Sequence, residues 1–259
     1  MSDHETSIHP AAAAGFGADA DRYVSGRPDY PLAIDAWLRD ALKLSQSKVV
    51  ADLGAGTGKF LPRLASTGAR IIAIEPVAAM RTQLSMRFPQ VEVREGTAER
   101  LPLENDAVDA VVCAQAFHWF ANARALQEIR RVLKPGAALG LIWNIRDESV
   151  DWVAALTRIL DEHEGDTPRY SSGAWRQMFP APGFSDLVET SFAHSHTGPA
   201  QQVIVDRHMS VSFIAALPPP QQQQVLAEIH ALMARTPVLA AQTVSMPYRT
   251  YAFCCRKVD

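Results

Sequence analysis

The chain has 259 residues, a formal net charge of −3 and a 47% hydrophobic share. That share supplies a real core and excludes wholesale disorder, and the length suits one large domain or one domain with a modest cap. The slight acidity argues against a protein that coats nucleic acid, which needs an excess of Lys and Arg.

Residues 1–14 lack a basic start ahead of an apolar run, and the alanines at 11–14 are too few for a signal peptide or a spanning helix. This stretch is expected to be a flexible tail, followed by N-terminal lid helices over 15–45. Residues 48–53 (KVVADL) form a short apolar run ending at a Gly-rich turn, as a buried strand does, with a helix over 59–66. Residues 70–74 (RIIAI) form a second buried strand, and Pro76 suits the first turn of a helix over 77–87. Strands are expected at 91–94 and 108–114, a helix at 125–132, a turn at Lys134-Pro135-Gly136 and a fifth strand at 137–143.

Continuous apolar strands alternating with helices predict an α/β fold, a doubly wound and mostly parallel sheet covered on both faces. Later come a helix at 150–164, a short helix at 173–178, a strand at 187–194 and a closing strand at 244–256. That makes seven strands. Pro218-Pro219-Pro220 opens an amphipathic helix with Val225, Leu226, Ile229 and Leu232 on one face. The expected organisation is a core over 46–198, a small helical cap inserted at 199–235 and a closing strand over 236–259.

Cys113 sits in an apolar run as a small buried hydrophobe, and the adjacent Cys254 and Cys255 point to opposite faces of a strand. This usage fits the reducing cytoplasm. His194 and His196 share a strand face but have no third ligand at good spacing, so no metal site is expected.

The strongest motif is Asp52-Leu53-Gly54-Ala55-Gly56-Thr57-Gly58, between a predicted strand and a predicted helix. Glycines let a ligand approach the backbone, and the helix start offers unpaired N–H groups. The spacing is G-x-G-x-G rather than the G-x-G-x-x-G of dinucleotide sites, and Asp52 would repel a pyrophosphate but welcome an ammonium. That counts against an NAD-dependent oxidoreductase. Glu75 ends the second strand, where a carboxylate can accept both hydroxyls of a ribose. The alternative is a carboxylate complementing a helix dipole.

The runs VVADLGAGTGKF, IIAIEP, GTAERLP, VDAVVCAQAFHWF and VLKPGAALGLIW, in this order from Val49 to Trp143, resemble the class I S-adenosylmethionine-dependent methyltransferases of the type 11-like group. The resemblance implies a Rossmann-like sheet and S-adenosyl-L-methionine as cofactor. It implies that Gly54, Gly56 and Gly58 pass beside its methionine and ribose parts, with Ala55, Pro76 and Met80 among the contacts. It puts Glu75 on the ribose, Thr97, Ala98 and Glu99 at the adenine edge, and Gln115 near the sulfonium. The flanks Phe16, Tyr23, Arg27-Pro28-Asp29-Tyr30-Pro31, Ser210-Val211-Ser212 and Pro247-Tyr248-Arg249-Thr250 resemble a small-molecule group that includes trans-aconitate methyltransferase-like enzymes.

Methyl transfer needs alignment and water exclusion, and a base only if the acceptor must lose a proton. His118, after the fourth strand, is the candidate base; its alternative is packing. Tyr23 and Arg27 are expected at the cofactor, with Arg27 on its carboxylate. Tyr30, Phe117, His118, Trp119, Trp143, Asn144, Arg146, Ser210 and Ser212 are expected around the acceptor, although Trp119 also reads as packing. Tyr23, Arg27, His118, Trp143 and Ser210 or Ser212 are expected to share one cavity.

The resulting expectation is a monomeric or homodimeric cytoplasmic methyltransferase with a small-molecule acceptor and no nucleic-acid or membrane partner. The alternatives are a non-catalytic S-adenosylmethionine-binding subunit and an RNA or protein methyltransferase. Against the last, Gln115-Ala116-Phe117-His118 stands where many amino-group methyltransferases carry an N-P-P-Y type of tetrad.

Overall fold

Apolar runs such as VVADL, RIIAI and VDAVVCA bury both faces of a strand, which only a sheet covered on two sides allows. In the computed structural model, which describes residues 27–259, they form part of one seven-stranded sheet. Strands β1 (Val49–Leu53), β2 (Arg70–Ile74), β3 (Glu92–Arg94), β4 (Val108–Ala114) and β5 (Leu133–Arg146) are parallel. The remaining pair, β6 (Val188–Pro199) and β7 (Thr243–Arg256), is antiparallel, with β7 lying between β5 and β6. The order β3-β2-β1-β4-β5-β7-β6 reverses between β1 and β4. The chain leaves those two strands in opposite directions, which opens a crevice at their carboxyl ends.

One face of the sheet is covered by helices α1 (Ile34–Asp40), α2 (Leu61–Ala65) and α3 (Ala78–Arg87). The other carries α4 (Ala123–Val132), whose Ala125, Leu126, Ile129 and Val132 are buried. Asn122 begins α4 by accepting the Ala125 N–H on its side-chain oxygen at 2.9 Å. Of the segment expected to form lid helices, residues 15–26 lie outside the described residues. Trp37, Leu38 and Leu42, in and just after α1, pack on the sheet face. A Cβ at Gly140 of β5 would stand 2.8 Å from Leu42.

Helix α5 (Asp151–Asp161) anchors the insertion between β6 and β7. That insertion is helical throughout: a π-helical turn at Gln201–Asp206, then α6 (Arg207–Met209), α7 (Ser212–Ala215) and α8 (Pro219–Arg235). Val225, Ile229 and Leu232 of α8 join Val153, Leu156 and Leu160 of α5 in a core of their own, with Leu226 partly buried beside them. Among the described residues, no helix is long and apolar enough to cross a membrane.

Two boundaries differ from expectation. Lys134-Pro135-Gly136 lies inside β5 rather than in a turn: Val108 pairs with Leu133 and Ala110 already pairs with Ala138, so the extra residues bulge, with Gly136 at φ 73°. Strand β6 runs to Pro199 rather than 194, because pairing with β7 continues to Thr243.

Candidate active site

A cavity of about 200 Å³ opens at the carboxyl ends of β1, β2 and β4. Gly54 and Gly56 turn the chain there at φ 72° and 56°, in the left-handed region that costs glycine little. A Cβ on Gly54 would stand 2.7 Å from the Ala116 methyl, so the turns after β1 and β4 can touch only through a glycine.

Asp52 closes the floor. It is 1% exposed, and neither carboxylate oxygen has a hydrogen-bond partner. Burial, and then the charge of Glu75, push its pKa up to about 7. Glu75 is also buried, but its oxygens accept N–H groups from Gly56 and Val77, each at 2.9 Å. One carboxylate thus ties the glycine turn to the start of α3. Burial raises its pKa against the pull of those N–H groups and of Arg81. Thr57 and Thr97 line the same cavity with buried, unpartnered hydroxyls. An unpaired buried carboxylate and orphaned hydroxyls fit a polar, cationic ligand.

Most expected cofactor residues meet in this cavity: Arg27, Asp52, Gly54, Ala55, Gly56, Glu75, Pro76, Met80, Thr97, Ala98, Glu99 and Gln115. Tyr23 lies outside the described residues. Gly58 does not border the cavity; a Cβ there would stand 2.7 Å from Phe88 and 2.9 Å from Leu61 at φ 81°. Its absent side chain serves helix packing rather than ligand approach. Gly58→Ala should therefore cost about 2–4 kcal/mol of stability in denaturant unfolding. A loss below about 0.5 kcal/mol would mean that Phe88 yields freely.

A second cavity, of about 140 Å³, adjoins the first and shares Arg27, Gln115, Trp119, Asn144 and Arg207 with it. Gln115 stands between them at φ 58°, with its side-chain N–H on the Asn144 carbonyl at 2.9 Å. Strain of this kind is common at functional sites. Arg27, Arg146, Arg169 and Arg207 border the second cavity, with Glu148 as the one carboxylate among the described lining residues. Arg169 is neutralised by Asp161 at 3.2 Å and Glu164 at 2.7 Å. Arg207 is not: its Nε and Nη1 are buried without hydrogen-bond partners. Burial, with Arg207 and Arg169 nearby, pushes Arg146 down to about 10 despite its attraction to Tyr248. Among the described residues, neither Arg146 nor Arg207 has a carboxylate paired with it.

The acceptor candidates separate. Tyr30 borders the first cavity, and His118, Arg146 and Ser212 the second. Trp119 and Asn144 border both, although Asn144 spends its amide on the protein, donating to the Asp29 carbonyl at 3.1 Å and accepting from Thr250 at 2.6 Å. It holds the 28–30 segment over the site. Phe117 is fully buried and packs on Phe120 and Phe179 instead of facing a ligand. Trp143 is fully buried too, so it does not share the cavity expected for it with Arg27, His118 and Ser212. Ser210 turns its hydroxyl back onto the Arg207 carbonyl at 2.9 Å and borders neither cavity.

His118 does not have the geometry of a base. Its Nδ1 accepts the Trp143 indole N–H at 3.0 Å. An indole nitrogen only donates, so Nδ1 holds its lone pair toward Trp143 and the ring proton sits on Nε2. Burial, then the charges of Arg169 and Arg27, push its pKa down to about 3. Arg207, Arg169 and Tyr170 were missed in the sequence; none lies in a motif, and only the fold brings them to the site.

The residues matching the family model described as "Methyltransferase domain" are 51–141, from β1 into β5. An uncharacterized methyltransferase-like protein of Schizosaccharomyces pombe is 38% identical over 93% of this chain and 95% of its own length. An uncharacterized methyltransferase of Mycobacterium tuberculosis is 36% identical over 91% and 92%. Among solved structures, the YcgJ protein of Bacillus subtilis shares the fold at a TM-score of 0.57 and 20% identity, over 88% of this chain and 98% of that one. A Haemonchus contortus phosphoethanolamine N-methyltransferase in complex with phosphomonomethylethanolamine and S-adenosylhomocysteine aligns at a TM-score of 0.58 and 12% identity, over 98% and 60%. The chain belongs to the class I S-adenosylmethionine-dependent methyltransferase family.

Proposed function

We propose that the chain moves the methyl group of S-adenosyl-L-methionine to a small anionic molecule. The observation that carries this reading is the pair of joined cavities, one with buried carboxylates at its floor and the other ringed by arginines, of which Arg27 and Arg207 border both. One has the buried carboxylates Asp52 and Glu75, the other a set of arginines that includes the unpartnered Arg207. Bound in the first, the cofactor supplies an electrophilic methyl on a sulfonium. Asp52 would face its ammonium, Glu75 its ribose diol, and Thr97 and Glu99 its base. Arg207, Arg146 and Arg27 would hold the acceptor, and Trp119 and Gln115 would form the passage between the two. Cavities of about 200 and 140 Å³ suit small ligands rather than a macromolecule. The open acceptor side speaks against a non-catalytic subunit. All three cysteines are free, which supports a reducing, cytoplasmic setting.

Calorimetry should find S-adenosylhomocysteine bound more tightly than NAD; comparable NAD binding would overturn the cofactor reading. Labelled-methyl transfer to a metabolite panel should mark an organic acid or a phosphate ester rather than a neutral phenol or amine. With that acceptor, Arg207→Ala should raise KM roughly 10–100-fold, the loss of a charge-assisted contact. An unchanged KM would remove Arg207 from the acceptor site.

A further inference from the structure

The Trp143 side chain borders neither cavity, and its one polar atom is committed to His118. The indole is fully buried, with ring centroids 4.4 Å from Trp175, 5.2 Å from Tyr170 and 5.8 Å from Phe253. Its N–H therefore has a fixed direction, and it ends on Nδ1 of His118 at 3.0 Å. His118 sits on the short 3₁₀ turn Phe117–Trp119 and borders the second cavity. With the Nδ1 side taken, the Nε2 edge is the one left for a ligand.

From this geometry we propose that Trp143 is a positioning residue that locks His118 as the neutral Nε2–H tautomer, so that His118 donates a hydrogen bond to the acceptor and takes no proton from it. The proposal rests on the second cavity being the acceptor side.

Protonating Nδ1 would set two N–H donors against each other. It would also add a cation beside Arg169 and Arg27 of the cavity wall, where Arg146 and Arg207 stand as well. Among the described residues, the groups that could offset it are Glu148, which is exposed, Asp161 and Glu164, which are already paired with Arg169, and the phenols of Tyr170 and Tyr248. The low pKa of His118 agrees with this balance. In the transfer, a lone pair of the acceptor forms the bond to the methyl carbon, the C–S pair leaves with sulfur, and no proton passes to His118. An acceptor that arrives as an anion needs none removed.

The test reads the tautomer directly. Long-range ¹H–¹⁵N spectra of the full chain, free and saturated with S-adenosylhomocysteine, should show His118 with Nδ1 unprotonated and Nε2 protonated, unchanged from pH 8 to pH 5. In Trp143→Phe the ring should populate both tautomers and titrate nearer its ordinary value of about 6.5. Turnover adds a second reading that does not depend on how the Phe variant folds. His118→Ala should lower kcat about 10–100-fold. His118→Gln, which keeps a donor near Nε2 but has no basicity, should stay within about tenfold of the wild type. Protonated Nδ1 in the wild type, or titration of His118 together with kcat between pH 5 and pH 8, would overturn the proposal. So would equal losses of a hundredfold or more in the Ala and Gln variants, the mark of a base. Failure to bind S-adenosylhomocysteine would instead strike the functional reading, since the free chain still reports the tautomer.

Discussion

Glu75→Ala should weaken S-adenosylhomocysteine binding by about a hundredfold, read by calorimetry on the folded variant. The size follows from two losses. A carboxylate that accepts ribose hydroxyls supplies charge-assisted hydrogen bonds worth roughly 1.5–3 kcal/mol, or about 10–150-fold. The same carboxylate holds the Gly56 and Val77 N–H groups at 2.9 Å, so the glycine turn loses its tie to α3. Glu75→Gln separates the two. It keeps one acceptor for the turn and removes a buried charge whose pKa burial already raises. The unliganded Gln variant should therefore lose some stability, because its NH2 meets one of the two N–H donors, but less than the Ala variant, and should still bind the ligand more weakly. If both variants lost stability but kept wild-type affinity, Glu75 would serve only the start of α3.

The second large effect is a proton. Asp52 has a pKa near 7 in the unliganded chain, against an ordinary carboxylate value of 3.8. A raised folded-state value means that the folded chain holds a proton the unfolded chain releases. Asp52 thus costs stability as pH rises from about 4 through 7, by up to about 4 kcal/mol. An ammonium placed against it reverses the preference and expels the proton. Binding of S-adenosylhomocysteine at pH 7 should release about half a proton, seen as a buffer-dependent calorimetric enthalpy. Affinity should rise roughly tenfold per pH unit between pH 5 and pH 6, then level off above 7. Asp52→Asn should flatten that profile, weaken binding and stabilise the unliganded chain at pH 8. A pH-independent wild-type affinity would mean that the ammonium lies elsewhere.

Much of the first cavity was legible in the sequence because it is built locally. A strand that carries Asp52 in its last two residues, turns on Gly54 and Gly56 and enters a helix delivers those groups to the carboxyl edge of any parallel sheet; Glu75 reaches it by the same rule one strand later. Local pattern also carried the strand count and the helical insertion before β7.

The second cavity could not be read that way. Arg27, Arg146, Arg169 and Arg207 lie in four separate segments, and only the packing of all four around one cavity brings their charges together. Ser210 and Ser212 are two residues apart, yet one hydroxyl turns back onto the Arg207 carbonyl while the other residue borders the cavity. Gly58 belongs to the motif by spacing but packs on Phe88, since a helix start must also fit its neighbour. His118 suggested a base by residue type alone, but a basic nitrogen is defined by what its lone pair meets. That partner, Trp143, comes from β5, 25 positions away in the chain. Sequence pattern settles which segments become buried strands and where a glycine turn follows one, because those signals are local. Tertiary structure decides what each side chain faces, because charge, burial and hydrogen bonding depend on every segment packed around it.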